Sequence, residues 1–370
     1  MSIALLLLIT AIIAAYAIIS LIIKKDKQKR DVIFLILSAI ILLIFLFIRI
    51  NYLDLVVYAK DFYFLNNCSW ADFWEKAYEP FYKIFNFLVG RFTNDPKILF
   101  CIIDIIGLMG PLFFIYKNSK NKLLSILIYI SIGSFAINQS ALRQVLAVSI
   151  VTFSFDFVIK KKKIPFLLSI IFASLFHYTA ITALLIYPAY NWNLRKISKK
   201  IFWPCIFIVS TLIGSLIMQI IMQFDKYKSY ADTEFIIGNT GYRLLVLYIV
   251  IGLTIYLLLV YLCKEKATEN EKRLLNVFML CITFQILATQ VAIMNRVTSY
   301  FVNTLIVLIP NSIAIIEDRK RRTIIHVSTF VATIGLTILN NNFNSYITIF
   351  NPPNNNIQGP SNQINDGEKQ

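Results

Sequence analysis

Apolar runs of roughly 20 residues recur along this 370-residue sequence. Each run is long enough to cross the ~30 Å hydrocarbon core of a bilayer as a helix. The chain is 58% hydrophobic with a mean hydropathy of +0.69, whereas a soluble domain is only about half apolar. We therefore predict an all-α fold, a polytopic transmembrane helical bundle with about 11–12 spans. A single integral membrane domain is expected over residues 1–340.

Most of the positive charge lies in short clusters between these runs. The formal net charge is +16, and 24 of the 36 Lys and Arg fall in six clusters. Alternate loops are poor in such charge, which is the asymmetry of the positive-inside rule. We therefore predict a multi-pass membrane protein, with the lipid bilayer and not nucleic acid as its surroundings. The clusters are expected in the cytoplasm and the N-terminus outside. They are Lys24–Arg30, Lys117–Lys122, Lys160–Lys163, Arg195–Lys200, Lys264–Arg273 and Arg319–Arg322.

The clusters also constrain how residues 164–190 cross the membrane. This stretch is long for one span and short for two. A single span would place Lys160–Lys163 and Arg195–Lys200 on opposite sides. We predict instead two short helices that meet at an outward-facing bend at His177, where irregular backbone lines a watery cavity. The predicted spans are 2–23, 32–50, 98–116, 123–139, 143–159, 164–177, 178–190, 201–223, 242–262, 274–293, 298–316 and 323–340.

Two segments outside the spans have a distinctive composition. The first outer loop, residues 51–97, is rich in Tyr, Phe and Trp. Apolar residues at helical spacing predict an amphipathic helix near 81–92, interfacial or re-entrant, although an aromatic belt at the membrane surface accounts for them equally well. Residues 341–370 are expected to form an extracytoplasmic polar tail. This tail is predicted to be disordered after about residue 351, because it is rich in Asn, Pro and Gln.

Basic side chains inside apolar runs are the strongest indication of a functional site. Arg143 and His177 each lie in a polar interruption of such a run, and ionisable groups at membrane depth are costly and usually functional. The predicted topology places both at the outer face, together with Arg49, Asp104 and Arg296. Each has a structural alternative: Arg49 snorkels to the interface, His177 is a core histidine, and Asp104 is a buried partner of either Arg143 or Arg49.

The residue types suggest a reaction at a phosphate-bearing lipid. Guanidinium groups stay charged and grip phosphate oxygens in bidentate fashion. A histidine suits proton transfer, because its unperturbed pKa lies near neutrality. On the outer face of a membrane, the expected phosphate-bearing substrates are lipid-linked. No His, Asp and Glu cluster has metal-ligand spacing, so neither a metal nor another cofactor is expected. The five cysteines are scattered and are expected to be small core hydrophobes.

Several short motifs together resemble the EpsG-like, Wzy-type polysaccharide polymerases. Leu142-Arg143-Gln144-Val145-Leu146-Ala147 is followed by a basic turn and then by Ala173-x-x-Phe176-His177-Tyr178-Thr179-Ala180. Each motif alone is weakly specific. Their order and spacing, over roughly residues 30–320, are together more specific. One departure is Leu53, where the family often has Gly before the loop aspartate. The other matching motifs are Arg49…Asp54…Tyr58, Glu79-Pro80-Phe81-Tyr82, Asn295-Arg296, Tyr300-Phe301 and Pro310.

The resemblance implies a polymerase of undecaprenyl-pyrophosphate-linked oligosaccharide repeat units for O-antigen, capsule or exopolysaccharide. The flippase and the chain-length regulator of the same pathway are the implied protein partners. Two other classes stay open. They are a flippase or transporter for such lipids, which should show duplicated halves, and a glycosyltransferase using polyprenyl-phosphate sugars, which would rely on Asp54. The catalytic residues assigned are His177 and Arg143. The substrate-binding residues assigned are Arg49, Asp54, Tyr58, Glu79, Asn138, Gln144, Arg296 and Tyr300.

Overall fold

The computed structural model describes residues 3–49, 54–191, 199–221, 223, 241–263 and 268–339. Every regular element in these residues is a helix, which confirms the all-α fold. The α-helices are α1 (Ile3–Ile22), α2 (Lys27–Phe47), α3 (Asp54–Asn67), α4 (Trp70–Glu75), α5 (Pro80–Gly90), α6 (Pro96–Asn118), α7 (Lys122–Ser131), α8 (Leu142–Ile159), α9 (Lys163–Ser174), α10 (Ile186–Asn191), α11 (Lys199–Ile221), α12 (Gly241–Leu257), α13 (Glu269–Ala288), α14 (Asn295–Val302), α15 (Leu305–Ala314) and α16 (Arg319–Leu339). Short 3-10 turns cover Ala136–Gln139, Tyr178–Leu185 and Ala292–Met294, and a π turn, Leu258–Leu262, extends α12.

Within the described residues, four helices are long and apolar enough to cross a bilayer. They are α2, α6, α8 and Gly241–Tyr261, and the pair Ala292–Val302 and Leu305–Ala314, bent by 44°, is a fifth candidate. Other predicted spans fall on shorter apolar helices, Leu7–Ile22, Lys122–Ser131, Lys163–Ser174 and Trp203–Gly214. The chain is thus a polytopic helical protein, and several of the 11–12 predicted spans are short segments.

Two predicted spans are interrupted in the structure. The expected span 123–139 ends as a helix at Ser131, and Gly133 follows with a positive φ of 82°, a conformation that glycine adopts at helix ends without a Cβ penalty. The expected span 298–316 breaks between Val302 and Leu305. At this break the buried Asn303 side chain donates to Thr152 of α8, at 2.8 Å. Apolar composition alone predicted these spans, and both interruptions occur inside apolar sequence.

The predicted hairpin around His177 is confirmed. The Tyr187 hydroxyl donates to the Lys161 carbonyl, and the rings of Phe166 and Tyr187 lie 5.6 Å apart. Residues before His177 therefore meet a residue after it, which requires the chain to turn back on itself between Phe166 and Tyr187. The helix predicted near 81–92 is also present, as α5. The tail 341–370 and parts of two basic clusters, residues 195–198 and 264–267, lie outside the described residues.

Helix α8 packs closely against α6 in the buried core. The Gly110 amide donates to the Ser149 hydroxyl at 3.0 Å, and that hydroxyl donates to the Ile106 carbonyl at 2.5 Å. A Cβ at Gly110 would collide with the Ser149 carbonyl. The close approach of the two helices therefore depends on a glycine at position 110. The Ser149 hydroxyl forms hydrogen bonds with the backbone of α6 near Pro111, and buried backbone groups of membrane helices require such partners.

Described residues of five basic clusters lie at one end of the bundle, called here the basic end; these clusters are Lys24–Arg30, Lys117–Lys122, Lys160–Lys163, Lys264–Arg273 and Arg319–Arg322. Lys122 lies near Lys27 and Asp31 at the start of α2, and Lys120 shares a pocket with Arg322. Tyr190 donates to Asn270 at the start of α13, at 2.6 Å, beside the turn where Tyr187 meets Lys161. Helix α8 runs from Arg143 to the opposite end, where Lys160 pairs with Asp156 at 2.6 Å. Its 18 residues separate the two ends by about 27 Å.

Candidate active site

Glu79 lies where the outer loop enters α5, with a backbone suited to present its side chain. Pro80 occupies the first turn of the helix, and Glu79 is extended, with φ −62° and ψ 140°, and makes no capping hydrogen bond. The amide of Phe81 donates to the Leu175 carbonyl at 3.1 Å, and the rings of Phe81 and Phe176 pack together. These contacts hold the start of α5 against the hairpin turn, so the Glu79 carboxylate faces His177.

The Glu79 carboxylate bridges the two residues predicted to be catalytic. Its Oε2 accepts a hydrogen bond from Arg143 Nη1 at 2.6 Å, and its Oε1 lies 3.1 Å from His177 Nδ1. The Tyr178 amide also donates to Oε1, at 3.4 Å. Glu79 is 2% exposed, and removing a single partner from such a buried charged network is costly. The structure therefore unites three predicted site residues from the outer loop, α8 and the hairpin turn.

The charge state of Glu79 determines the histidine tautomer. Burial by itself would raise the pKa of the Glu79 carboxyl, but the hydrogen bond to His177 and the Arg143 charge lower this pKa to about 2. An ionised carboxylate only accepts hydrogen bonds, so Nδ1 of His177 must carry the proton that it donates. In the neutral ring, Nε2 is then the atom with a free lone pair. The His177 Nε2 atom is buried and has no hydrogen-bond partner.

Arg143 rests on an aromatic surface that the sequence did not predict. Its guanidinium lies 4.4 Å from the ring centroid of Tyr78, an attractive cation–π contact. The Tyr78 hydroxyl donates to the Asp61 carboxylate, which also pairs with Lys76 at 2.7 Å. Burial and the neighbouring Asp61 raise the pKa of Tyr78, so the phenol stays protonated. Asp61 was recognisable as a carboxylate on the apolar face of an amphipathic helix, one turn after Tyr58.

Helix α14 is attached to this cluster through two predicted residues. Gln144 Nε2 donates to the Arg296 carbonyl and to Ser299 Oγ, both at 2.9 Å. The Tyr300 hydroxyl lies 3.0 Å from Thr179 Oγ1. Gln144 and Tyr300 thus make contacts within the protein that position α14. The Arg296 guanidinium has no hydrogen bond or ion pair with any residue that the structure describes, and its charge acts on His177.

Arg49 and Asp104 form a second buried cluster, which answers the question of the Asp104 partner. Arg49 binds Asp104 in bidentate fashion at 2.9 and 3.0 Å, and its Nη1 also donates to the Asn138 carbonyl at 2.9 Å. Asn138 Nδ2 donates to Tyr129 Oη and to the Phe135 carbonyl, both at 3.1 Å. The geometry therefore favours a structural role for Arg49 and Asn138 over the predicted substrate binding.

The two remaining predicted residues, Asp54 and Tyr58, lie in the first two turns of α3. Tyr58 lies beside Arg143, whose charge acts on the phenol. Asp54 is exposed in the first turn of α3 and has no hydrogen bond or ion pair with another described residue. The partner of His177 is therefore Glu79 and not Asp54. No group of three or more His, Cys, Asp and Glu in the described ranges is arranged to hold a metal ion.

Together, the apolar helices and a buried Glu–Arg–His cluster at the end opposite the basic loops define a polytopic helical membrane protein with a polar site at one end of its bundle. A model of the EpsG family matches residues 32–351, so the chain belongs to the EpsG family. This membership supports a role of the polysaccharide polymerase type. No curated protein and no solved structure matches the chain.

Proposed function

We propose that the protein polymerises undecaprenyl-pyrophosphate-linked oligosaccharide repeat units at the outer face of the cytoplasmic membrane. The growing glycan would leave its pyrophosphate carrier and move onto the non-reducing end of a fresh lipid-linked unit. Family membership supports the reaction class. The observation that carries the proposal is the Glu79 carboxylate between Arg143 and His177, which leaves His177 Nε2 without a partner.

His177 is the general base in this proposal. The acceptor hydroxyl gives its proton to Nε2 while its oxygen bonds to the anomeric carbon of the donor sugar. The imidazolium that forms keeps its Nδ1–H on the Glu79 carboxylate, which stabilises the new positive charge. A carboxylate, a histidine and an acceptor oxygen in this order follow the same logic as hydrolase triads, and a positioned base contributes about 10²–10⁴-fold in rate.

Arg143 and Arg296 stabilise the leaving group. The bond between the anomeric carbon and the pyrophosphate oxygen breaks, and undecaprenyl pyrophosphate leaves with the electron pair. Arg143 keeps its buried Nε free of partners, and the Arg296 guanidinium is unpaired among the described residues. Donors aimed at developing charge are typically worth about 10²–10³ in rate. Glu79 partly neutralises Arg143 and limits the cost of burying two arginines together without substrate.

The orientation in the membrane is part of the proposal. The basic end would lie in the cytoplasm, as the positive-inside rule predicts, which places the Glu79 cluster outside. Labelling of Cys68 by a membrane-impermeant maleimide in intact cells tests this orientation, because Cys68 lies in the outer loop and is partly exposed. Labelling of Cys68 only after the membrane is permeabilised would show that the orientation is the reverse of the one proposed.

The central test is an assay with purified protein and undecaprenyl-pyrophosphate oligosaccharide. Released undecaprenyl pyrophosphate and longer lipid-linked glycan are both measured. We expect Arg143→Lys to lose about 10²–10³ in rate, because lysine keeps the charge but not the planar fork. His177→Gln should bind substrate and lose about 10²–10⁴. Arg91→Lys is the matched control, because Arg91 is an exposed arginine in the outer loop 51–97.

Each alternative class predicts a different result in this assay. Wild-type protein that moves the intact lipid-linked unit across liposomes without releasing carrier would be a transporter. Full activity of His177→Gln together with loss of activity in Asp54→Asn would favour a glycosyltransferase with a loop carboxylate as its base. Equal activity of Arg143→Lys and Arg91→Lys would refute the role of Arg143 at the leaving group.

A further inference from the structure

A second polar concavity lies at the basic end, away from the Glu79 cluster. It has a volume of about 310 Å³ and lies between the loop joining α6 to α7, the end of α15 and the start of α16. Lys120, Asn121, Arg322, Thr323 and His326 contribute its polar lining. Ligand pockets start at about this size. Nothing in the proposed polymerase mechanism uses these residues.

Two cations in this pocket form no ion pair with a carboxylate of the described residues. The side chains of Lys120 and Arg322 make no hydrogen bond or ion pair with any residue in the described part of the chain. Arg321, the next residue to Arg322, pairs instead with Asp318 at 3.3 Å. The Lys120 charge acts on Glu271, but this carboxylate is buried and hydrogen-bonded to Thr268. Like charges that converge on a cleft focus a positive potential there and attract an anion.

The pocket walls are held by specific hydrogen bonds. The Lys120 amide donates to Asn311 Oδ1 at 2.8 Å, and Asn311 Nδ2 donates to the Asn118 carbonyl at 2.9 Å. Asn121 Oδ1 accepts from the Leu124 amide, so its Nδ2 is the atom that lies 2.6 Å from His326 Nε2. Because an amide nitrogen only donates, His326 accepts at Nε2 and keeps its proton on Nδ1.

We propose that this pocket binds a phosphate group. Arg322 would grip two phosphate oxygens with its planar fork, and Lys120 would act as a point charge beside it. His326 keeps an Nδ1–H that can donate. The group would come either from the headgroup of an anionic lipid at the basic surface or from a soluble phosphate compound. The pocket lies at the basic end, whereas the Glu79 cluster lies beside Arg143 at the opposite end of α8, so its ligand is not the pyrophosphate of the proposed reaction.

Thermal unfolding of the purified full-length chain in a non-ionic detergent tests this site. The probes are phosphatidylglycerol, phosphatidylcholine as a phosphodiester without net charge, and inorganic phosphate. We expect phosphatidylglycerol or inorganic phosphate to raise the unfolding midpoint. Arg322→Gln and Lys120→Gln should each weaken this effect about tenfold or more, because each removes a charged hydrogen-bond donor. The matched control Arg321→Gln should change the half-effective concentration by less than about twofold.

The outcomes separate the two sources and the absence of a site. Stabilisation by phosphatidylglycerol alone assigns a lipid headgroup, and stabilisation by inorganic phosphate as well assigns a soluble ligand. Both variants replace exposed side chains, so the fold should survive, and their unliganded unfolding midpoints check this. Equal weakening by Arg321→Gln and Arg322→Gln would reduce the pocket to a diffuse basic surface. If neither phosphatidylglycerol nor inorganic phosphate raises the unfolding midpoint of the wild-type protein, the proposal is also overturned.

Discussion

Replacing Glu79 by glutamine tests the organisation of the candidate site most directly. The ordinary pKa of this carboxyl is 4.5, and in the folded protein it is about 2. This fall in the pKa of Glu79, from 4.5 to about 2, corresponds to about 3 kcal/mol of stabilisation of the ionised carboxylate in the folded protein. Since Glu79 is buried, screening by solvent reduces this figure little. We therefore expect Glu79→Gln to lower the free energy of unfolding by about 3 kcal/mol at pH 7.

The same substitution should remove activity whichever way the new amide faces. If its oxygen accepts from His177, its NH₂ group faces Arg143, and donor opposes donor. If its oxygen faces Arg143, its NH₂ group donates to His177 Nδ1, and the imidazole proton moves to Nε2. The ring then has no lone pair for the acceptor hydroxyl. Both arrangements predict a loss of about 10²–10⁴ in rate.

The stability effect has a definite pH dependence. A carboxyl with a lowered pKa stabilises the folded state above its unfolded pKa, and this contribution is lost as the pH falls through the folded pKa. The difference between wild type and Glu79→Gln should therefore be constant from pH 8 to about pH 6. It should shrink below about pH 4.5 and be less than half as large at pH 3.

Thermal unfolding in a non-ionic detergent, followed by tryptophan fluorescence, measures this difference. Glu75→Gln is the matched control, because Glu75 is exposed at the end of α4 and has no ion pair with a described residue. Unfolding midpoints of Glu79→Gln and Glu75→Gln that coincide at pH 7 would refute the reasoning. A difference that grows as the pH falls would refute it as well.

Further predictions concern the packing that supports the site. Asp104→Asn should cost about 3–5 kcal/mol of stability, because it leaves the buried Arg49 guanidinium without its carboxylate; the double replacement Arg49→Met with Asp104→Leu should recover most of this loss in the same unfolding assay. Gly110→Ala should cost about 1–3 kcal/mol, because its Cβ meets the Ser149 carbonyl. Gly335→Ala, with no atom within 4 Å of its Cβ, should instead stabilise α16 by up to about 1 kcal/mol. Equal effects of the two alanine substitutions would contradict the close approach of α6 and α8.

The local features of the fold were predictable from sequence. The lengths of the apolar runs predicted helices, and the basic loops predicted the hairpin at His177 through the side on which each loop must lie. Breaks inside apolar segments were not predictable, because hydropathy does not register a left-handed Gly133 or the hydrogen bond between Asn303 and Thr152. Such breaks depend on polar contacts supplied by neighbouring helices.

The residues of the candidate site were largely predicted, but their pairing was not. Arg143 and His177 were identified as candidates because a charge within an apolar run is conspicuous in sequence. Glu79 was identified through the resemblance of Glu79-Pro80-Phe81-Tyr82 to a family motif. Which carboxylate serves which cation was decided by the tertiary structure, because the partners are 55 to 98 residues apart. Asp61 was missed for a related reason, since its role depends on the Tyr78 ring beneath Arg143. Hydropathy reflects the transfer free energy of each segment into lipid, which is local, whereas ion-pair partners are chosen by how the helices pack.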